Sequence, residues 1–135
     1  MPNLNLYLVE GYSDEQKNRL FARLTDAVVD SLSAPRGAVR IFLIELAEKH
    51  ISVGGVGLSR LREQNAPHEV HAGPTIQAML IAGRSEQQKT ALIASLSAAV
   101  GEILGIPSDS IRIIVVDIPN TDFGMNGLAA KSLGR

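Results

Sequence analysis

Polar and apolar side chains alternate along Asn3–Val9, and Thr75–Ile81 begins the same way. That rhythm predicts strands with one face on a core. Gly11 and Gly83 turn the chain after each run. Ser13-Asp-Glu-Gln16 and Ser85-Glu-Gln-Gln88 both fit a capping box, in which the serine oxygen and the glutamine side chain satisfy the free donors of a helix start. Behind the first box Leu20, Leu24, Ala27, Val28 and Leu32 follow at spacings of four, three, one and four, which draws one apolar stripe down a helix. Leu92, Leu96, Ala99, Val100 and Leu104 repeat that stripe. Pro35 ends the first helix, and Gly105 with Pro107 ends the second. Val39–Leu46 and Ile111–Ile118 are nearly continuous apolar runs, as expected of strands covered on both faces.

The chain matches itself without a gap when shifted by 72 positions (74 − 2). Pro2 falls on Pro74, Gly11 on Gly83, Ser13 on Ser85, Gln16-Lys17 on Gln88-Lys89, Pro35 on Pro107, Arg40-Ile41 on Arg112-Ile113 and Gly55 on Gly127. The helical stripes keep the same register. This is an internal repeat, and each copy reads strand, helix, strand, a unit that crosses over right-handedly between parallel strands. The organisation expected is α+β, in one domain. A first β-α-β unit spans 1–55, a linker 56–73 and a second unit 74–135. Together they make a four-stranded sheet with two helices on one face. No predicted helix is left for the other face, which points to burial between subunits.

Composition narrows the function. The 135 residues are 45% apolar and 20% charged, with a net charge of −1 and 4% aromatics. No global basic footprint exists for nucleic acid or an anionic membrane, and base-stacking platforms are not expected. There is no cysteine for a disulfide, a thiolate nucleophile or a thiolate-bound metal. Ala91–Ile106, the longest greasy stretch, is broken by Ser95, Ser97 and Glu102 and is too short to span a bilayer. No signal peptide is visible, so a cytoplasmic protein is expected. The apolar fraction is high for so small a domain, which again suggests surface shared with other subunits.

Pro2 follows the initiating methionine, which is usually removed before proline, and removal exposes a secondary amine. An ordinary α-amino group titrates near 7.7–8.0, so only about a tenth is free base at neutral pH. An apolar pocket holding arginines lowers that pKa and makes the amine a usable base. Arg40 and Arg112 each interrupt an apolar strand, where a guanidinium needs an edge, an ion pair or a bound anion. Arg84 lies in the turn after a strand, and Phe123 in the glycine-flanked Phe123-Gly-Met-Asn-Gly127. The rest is weak. His68-Glu-Val-His71 has metal-ligand types but no clear further ligands, and His50 reads as a surface residue. Gly57-Leu-Ser59 lacks the second glycine of a nucleophile elbow, and Gly54, Gly55 and Gly57 lack the Gly-Lys-Ser/Thr of a phosphate loop.

These residues resemble a known family. Pro74-Thr-Ile-Gln…Gly83-Arg-Ser-Glu-Gln-Gln-Lys89…Ile-Pro107…Ser-Ile-Arg112-Ile-Ile…Phe123-Gly-Met-Asn-Gly127 resembles 4-oxalocrotonate tautomerase along the length of that unit. Pro2…Glu10-Gly-Tyr-Ser-Asp-Glu-Gln-Lys17…Ala-Pro35…Val-Arg40 resembles it too. The chain is similar to a fused pair of such units in the tautomerase superfamily. The resemblance implies the tautomerase (MIF-like) β-α-β fold, a catalytic amino-terminal proline (Pro2), arginines that hold carboxylate and oxo groups, and a phenylalanine that keeps the pocket apolar. It implies no metal or organic cofactor. It also implies a homotrimer of fused chains in place of a hexamer of single units, with pockets completed by partner units. The activity implied is isomerisation of 2-hydroxy-dienoates or enol acids, of the 2-hydroxymuconate or phenylenolpyruvate type, to 2-oxo acids.

Departures from the pattern matter. Pro74 is internal, so its nitrogen is an amide and no base. The position of Arg84 is Tyr12 in the first copy, and that of Phe123 is Ile51. If the halves pair as unfused units do, Arg84 and Phe123 serve Pro2, while Tyr12 and Ile51 face Pro74. Either Arg40 or Arg112 of a neighbouring chain would complete the site. Two other readings stand beside this one. One is a hydratase, dehalogenase or decarboxylase of the same superfamily, acting on 3-chloroacrylates or malonate semialdehyde. The dehalogenases need an acid to activate water, and Gly124, Met125 and Asn126 stand where one branch carries it, with His50 and Asp122 only nearby. The other is a non-catalytic trimeric interaction protein.

Overall fold

A computed structural model describes residues 1–65 and 71–135. Strand β1 (Asn3–Val9) leads into helix α1 (Asp14–Leu32) and strand β2 (Arg40–Leu46). A short hairpin of β3 (Ser52–Val53) and β4 (Val56–Gly57) follows, then helix α2 (Leu58–Gln64). The second unit repeats the order with β5 (Thr75–Ile81), α3 (Glu86–Leu104), β6 (Arg112–Ile118) and the hairpin β7 (Gly124–Met125) and β8 (Leu128–Ala129). Both expected capping boxes form, on Ser13 with Gln16 and on Ser85 with Gln88. Helix α1 stops at Ser33, which takes the left-handed conformation (φ 53°), two residues before Pro35; the equivalent in α3 is Gly105 (φ 65°).

The sheet runs β2-β1-β5-β6. Within each unit the strands are parallel, and the units meet where β1 pairs antiparallel with β5, Leu6 opposite Ile76. Leu4, Leu6, Leu8, Ile76, Ala78 and Leu80 point to one face and are buried against both helices. The predicted stripes, with Ile103 added, complete this core. Each fully buried leucine contributes about 1.5–3 kcal/mol of hydrophobic transfer. The helices pack together and are tied by Arg23–Glu102 at 2.7 Å. Lys17–Glu45 and Lys89–Asp117, at equivalent positions of the two units, tie each helix to the strand it precedes.

Among the described residues no helix lies over the opposite face of the sheet. Phe42 is 56% exposed, Ile114 46% and Val116 38%, on the two outer strands. The α+β architecture, the four-stranded sheet and the two helices on one face therefore match expectation.

The segment expected to be a linker differs in its first half. Val56-Gly57 closes the β3–β4 hairpin as Leu128-Ala129 closes β7–β8, and α2 follows it. Leu58 is wholly buried, like its equivalent Ala130. Residues 56–60 and 128–132 share no identity in register, so the repeat persists there as backbone and burial without a matching sequence.

Candidate active site

The antiparallel β1·β5 pairing decides what surrounds each proline. Asn3 lies opposite Met79 and Tyr7 opposite Thr75, so the start of each central strand sits beside the end of the other. Pro2 and Pro74 are both buried. The Pro2 carbonyl accepts a hydrogen bond from the Arg40 N–H, and the Pro74 carbonyl one from the Arg112 N–H, each at 3.0 Å.

At the Pro2 end lies a cleft of about 890 Å³, lined by Met1, Asn3 and Arg40 of the first unit and by Arg84, Phe123, Met125 and Arg135 of the second. Arg84 follows β5 and reaches across the pseudo-two-fold, donating to the Leu32 carbonyl in the last turn of α1. That carbonyl is one of the unpaired acceptors of a helix C-terminus, where a cation is also favoured by the helix dipole. Arg40 donates from Nη1 to the carbonyls of Gly37 (2.5 Å) and Val39 (3.3 Å). Phe123 precedes the β7–β8 hairpin, whose turn holds Asn126 (φ 56°) and Gly127 (φ 74°).

The amine at the chain start is held below its ordinary pKa, first by burial, then by the positive charges of Arg135 and Arg40. Both effects disfavour the protonated form. They describe the Met1 amine; Pro2, one residue on, is buried.

At the Pro74 end lies a second cavity of about 420 Å³. Tyr12 and Ile51 line it where the first cleft has Arg84 and Phe123, and Arg112 takes the place of Arg40. Burial pushes the Tyr12 phenol up, against a smaller opposing effect of Arg62. His71 lines this cavity; His68 lies outside the described residues. His50 and Asp122 are exposed.

The candidates thus divide. Pro2, Arg40, Arg84 and Phe123 share one end of the sheet, and Arg112 lies at the other end of its own chain. Arg135 and Met125 were not anticipated. Arg135 falls on Glu63 in the 72-position register, beyond the last repeat match, so only its charge could have drawn notice.

Two buried prolines at strand starts, arginines around them and two fused β-α-β units define a tautomerase. A family model described as "Tautomerase enzyme" matches residues 2–60 and 74–132, and the chain belongs to that family. It is a 4-oxalocrotonate tautomerase-like keto–enol isomerase. The 2-hydroxymuconate tautomerase of Pseudomonas sp. (strain CF600) is 39% identical over 62 residues, covering 46% of this chain and 98% of that one. The 2-hydroxymuconate tautomerase of Comamonas testosteroni is 40% identical over 62 residues, covering 46% of this chain and 98% of that one. Among solved structures, a fused 4-OT described as a wild-type asymmetric trimer is 45% identical, with TM-score 0.87, covering 99% of this chain and 100% of that one. Another, described as a wild-type symmetric trimer, is 36% identical, with TM-score 0.86, covering 99% of this chain and 100% of that one.

Proposed function

We propose that the protein isomerises 2-hydroxy-dienoates or related enol acids to conjugated 2-oxo acids, with Pro2 as the proton carrier once Met1 is removed. The observation that carries this reading is the asymmetry of the two ends. The cleft whose proline can become an amino terminus also holds Arg84 and Phe123, whereas Tyr12 and Ile51 stand beside the internal proline. The names of the matched relatives, 2-hydroxymuconate tautomerases, support the substrate class.

In the reaction the neutral Pro2 nitrogen takes the proton of the substrate's 2-hydroxyl group. The electron pair moves through the dienol to carbon, and the resulting prolinium returns the proton there. Atoms and charge balance: one proton moves from oxygen to carbon, a C=O bond forms at C2, and in a dienol the two C=C bonds give way to that C=O and one conjugated C=C. Arg84 clamps a carboxylate. Arg40 or Arg112, one of them supplied by a neighbouring chain, binds the 2-oxo and 1-carboxylate region and stabilises charge developing on oxygen. Phe123 excludes water and helps keep the prolyl nitrogen unprotonated.

Three chains form the working assembly, burying the open sheet face that carries Phe42, Ile114 and Val116. It has three competent sites, one per Pro2. The trimers named among the fused relatives support this arrangement.

The test is an ultraviolet assay of 2-hydroxymuconate and phenylenolpyruvate ketonisation with wild type, Pro2→Ala and Arg84→Ala, after intact mass establishes loss of Met1. Turnover by Pro2→Ala equal to wild type would sink the mechanism.

A further inference from the structure

The cavity at the Pro74 end lacks an amino-terminal proline, yet it is built from groups that suit an anion. Its lining includes Arg112, Arg62, His71, Tyr12 and Tyr7 and, among the described residues, no aspartate or glutamate. Arg62 is paired with Glu48. Arg112 lines the cavity and is in no ion pair among the described residues. Arg112 is exposed at the head of β6, and its planar guanidinium fork suits a carboxylate. The Tyr12 hydroxyl stays protonated at neutral pH, because burial raises its pKa, and it can donate a hydrogen bond. Ile51, Val53 and Ile106 supply apolar walls. The volume of about 420 Å³ falls within the roughly 300–1,000 Å³ of small-molecule sites.

The backbone is shaped for the same purpose. Gly73 approaches β6 with φ +65°, and a Cβ there would stand 2.1 Å from the Ser110 carbonyl oxygen and 3.4 Å from Arg112 Nη1. A glycine is required for the chain to enter β5 this close to the arginine.

From these groups we infer that the Pro74 cavity is a second binding site, which holds a small carboxylate with a short apolar body and does not transform it. Arg112 and the Tyr12 hydroxyl hold the carboxylate, and Ile51, Val53 and Ile106 cover the carbon skeleton. The Pro74 nitrogen is an amide with no basic lone pair, so it cannot carry the proton as Pro2 is proposed to. This goes beyond the proposed reaction and does not depend on Pro2 being its base. It doubles the acid-binding capacity of a chain with one catalytic end.

The test is isothermal titration of the full-length chain with cis,cis-muconate, a planar diacid without an enol to isomerise. Tyr12→Glu places a carboxylate in the cavity and should lose one binding site per chain relative to wild type, while 2-hydroxymuconate turnover stays within about two-fold. Tyr12→Phe should weaken that site several-fold. If Tyr12→Glu does not fold, His71→Glu makes the same change from another wall. Unchanged stoichiometry in a folded glutamate variant overturns the inference. So does a crystal soaked in muconate whose Pro2 cleft is filled and whose Pro74 cavity is empty. Failure of the catalytic proposal reads differently: turnover would be absent or independent of Pro2, while the site count would still fall in Tyr12→Glu.

Discussion

Pro2 and Pro74 hold equivalent places: each is buried, and each accepts a 3.0 Å hydrogen bond from the backbone N–H of an arginine at the head of the neighbouring parallel strand. Under the proposed mechanism their difference is covalent: Pro2 gains a free amine on loss of Met1, whereas the Pro74 nitrogen stays an amide. Pro2→Ala is therefore expected to lower kcat/KM for 2-hydroxymuconate by about 10²–10⁴-fold, the range of a lost general acid–base. Pro74→Ala should leave it within about three-fold of wild type. Stopped-flow ultraviolet kinetics on both variants checks the pair, and equal losses would contradict the assignment.

Arg84 joins two tasks, because the guanidinium that faces the cleft also donates to the Leu32 carbonyl. Arg84→Ala should lower kcat/KM by about 10²–10³-fold, as for loss of one charge-stabilising donor. It should also cost about 1 kcal/mol of stability through the lost cap. Thermal melting beside the kinetics separates the two effects, and Arg84→Lys should restore part of the first.

The Met1 amine is kept below its ordinary pKa by burial, then by Arg135 and Arg40, and under the proposed mechanism the Pro2 amine that replaces it meets the same two cations. Removing a cation raises that pKa toward the solvated value. The base form then appears only at higher pH, so the acid limb of the kcat/KM profile moves up. Arg135→Gln and Phe123→Ala are both expected to shift it in that direction, read from a pH–rate profile between about pH 5 and 9. A shift to lower pH, or none in either variant, would contradict the electrostatic role.

The two halves of the core are built alike, and their losses should match. Leu24→Ala and Leu96→Ala remove wholly buried equivalents and should each cost about 2–5 kcal/mol. Ser13→Ala and Ser85→Ala should each cost about 1 kcal/mol through the capping boxes. Urea unfolding at one protein concentration measures all four, since assembly makes stability depend on concentration.

Phe42→Glu and Ile114→Lys put charges on the uncovered sheet face. Both are expected to drive the trimer to smaller species in sedimentation velocity, with turnover falling in parallel, because a neighbouring chain is proposed to supply an arginine. A fully active monomer would refute that contribution.

Much of this was legible before the structure. The capping boxes, the apolar stripes and the parallel strand pairs depend on local chemistry repeated twice, so Ser13, Leu24 and Arg40 each had an equivalent to point to. Strand order was not written in any periodicity. It depends on β1 and β5 pairing antiparallel with each other, and that pairing brings Arg84 to the Pro2 end of the sheet. The β3–β4 hairpin and α2 escaped because residues 52–63 share only Gly55 and Leu61 with their equivalents in the second unit, and even the buried Leu58 falls on Ala130. Arg135 escaped because its role arises from proximity in space to Met1, 134 positions away in the chain.

The antiparallel seam between β1 and β5 has one more consequence. Two identical chains related by a two-fold axis display every side chain at both ends, so a substitution that suits one pocket is imposed on the other. Here positions 12 and 84 are encoded separately. A tyrosine can replace an arginine at one end while the other keeps it, and a single polypeptide can carry two different chemistries on one symmetric scaffold.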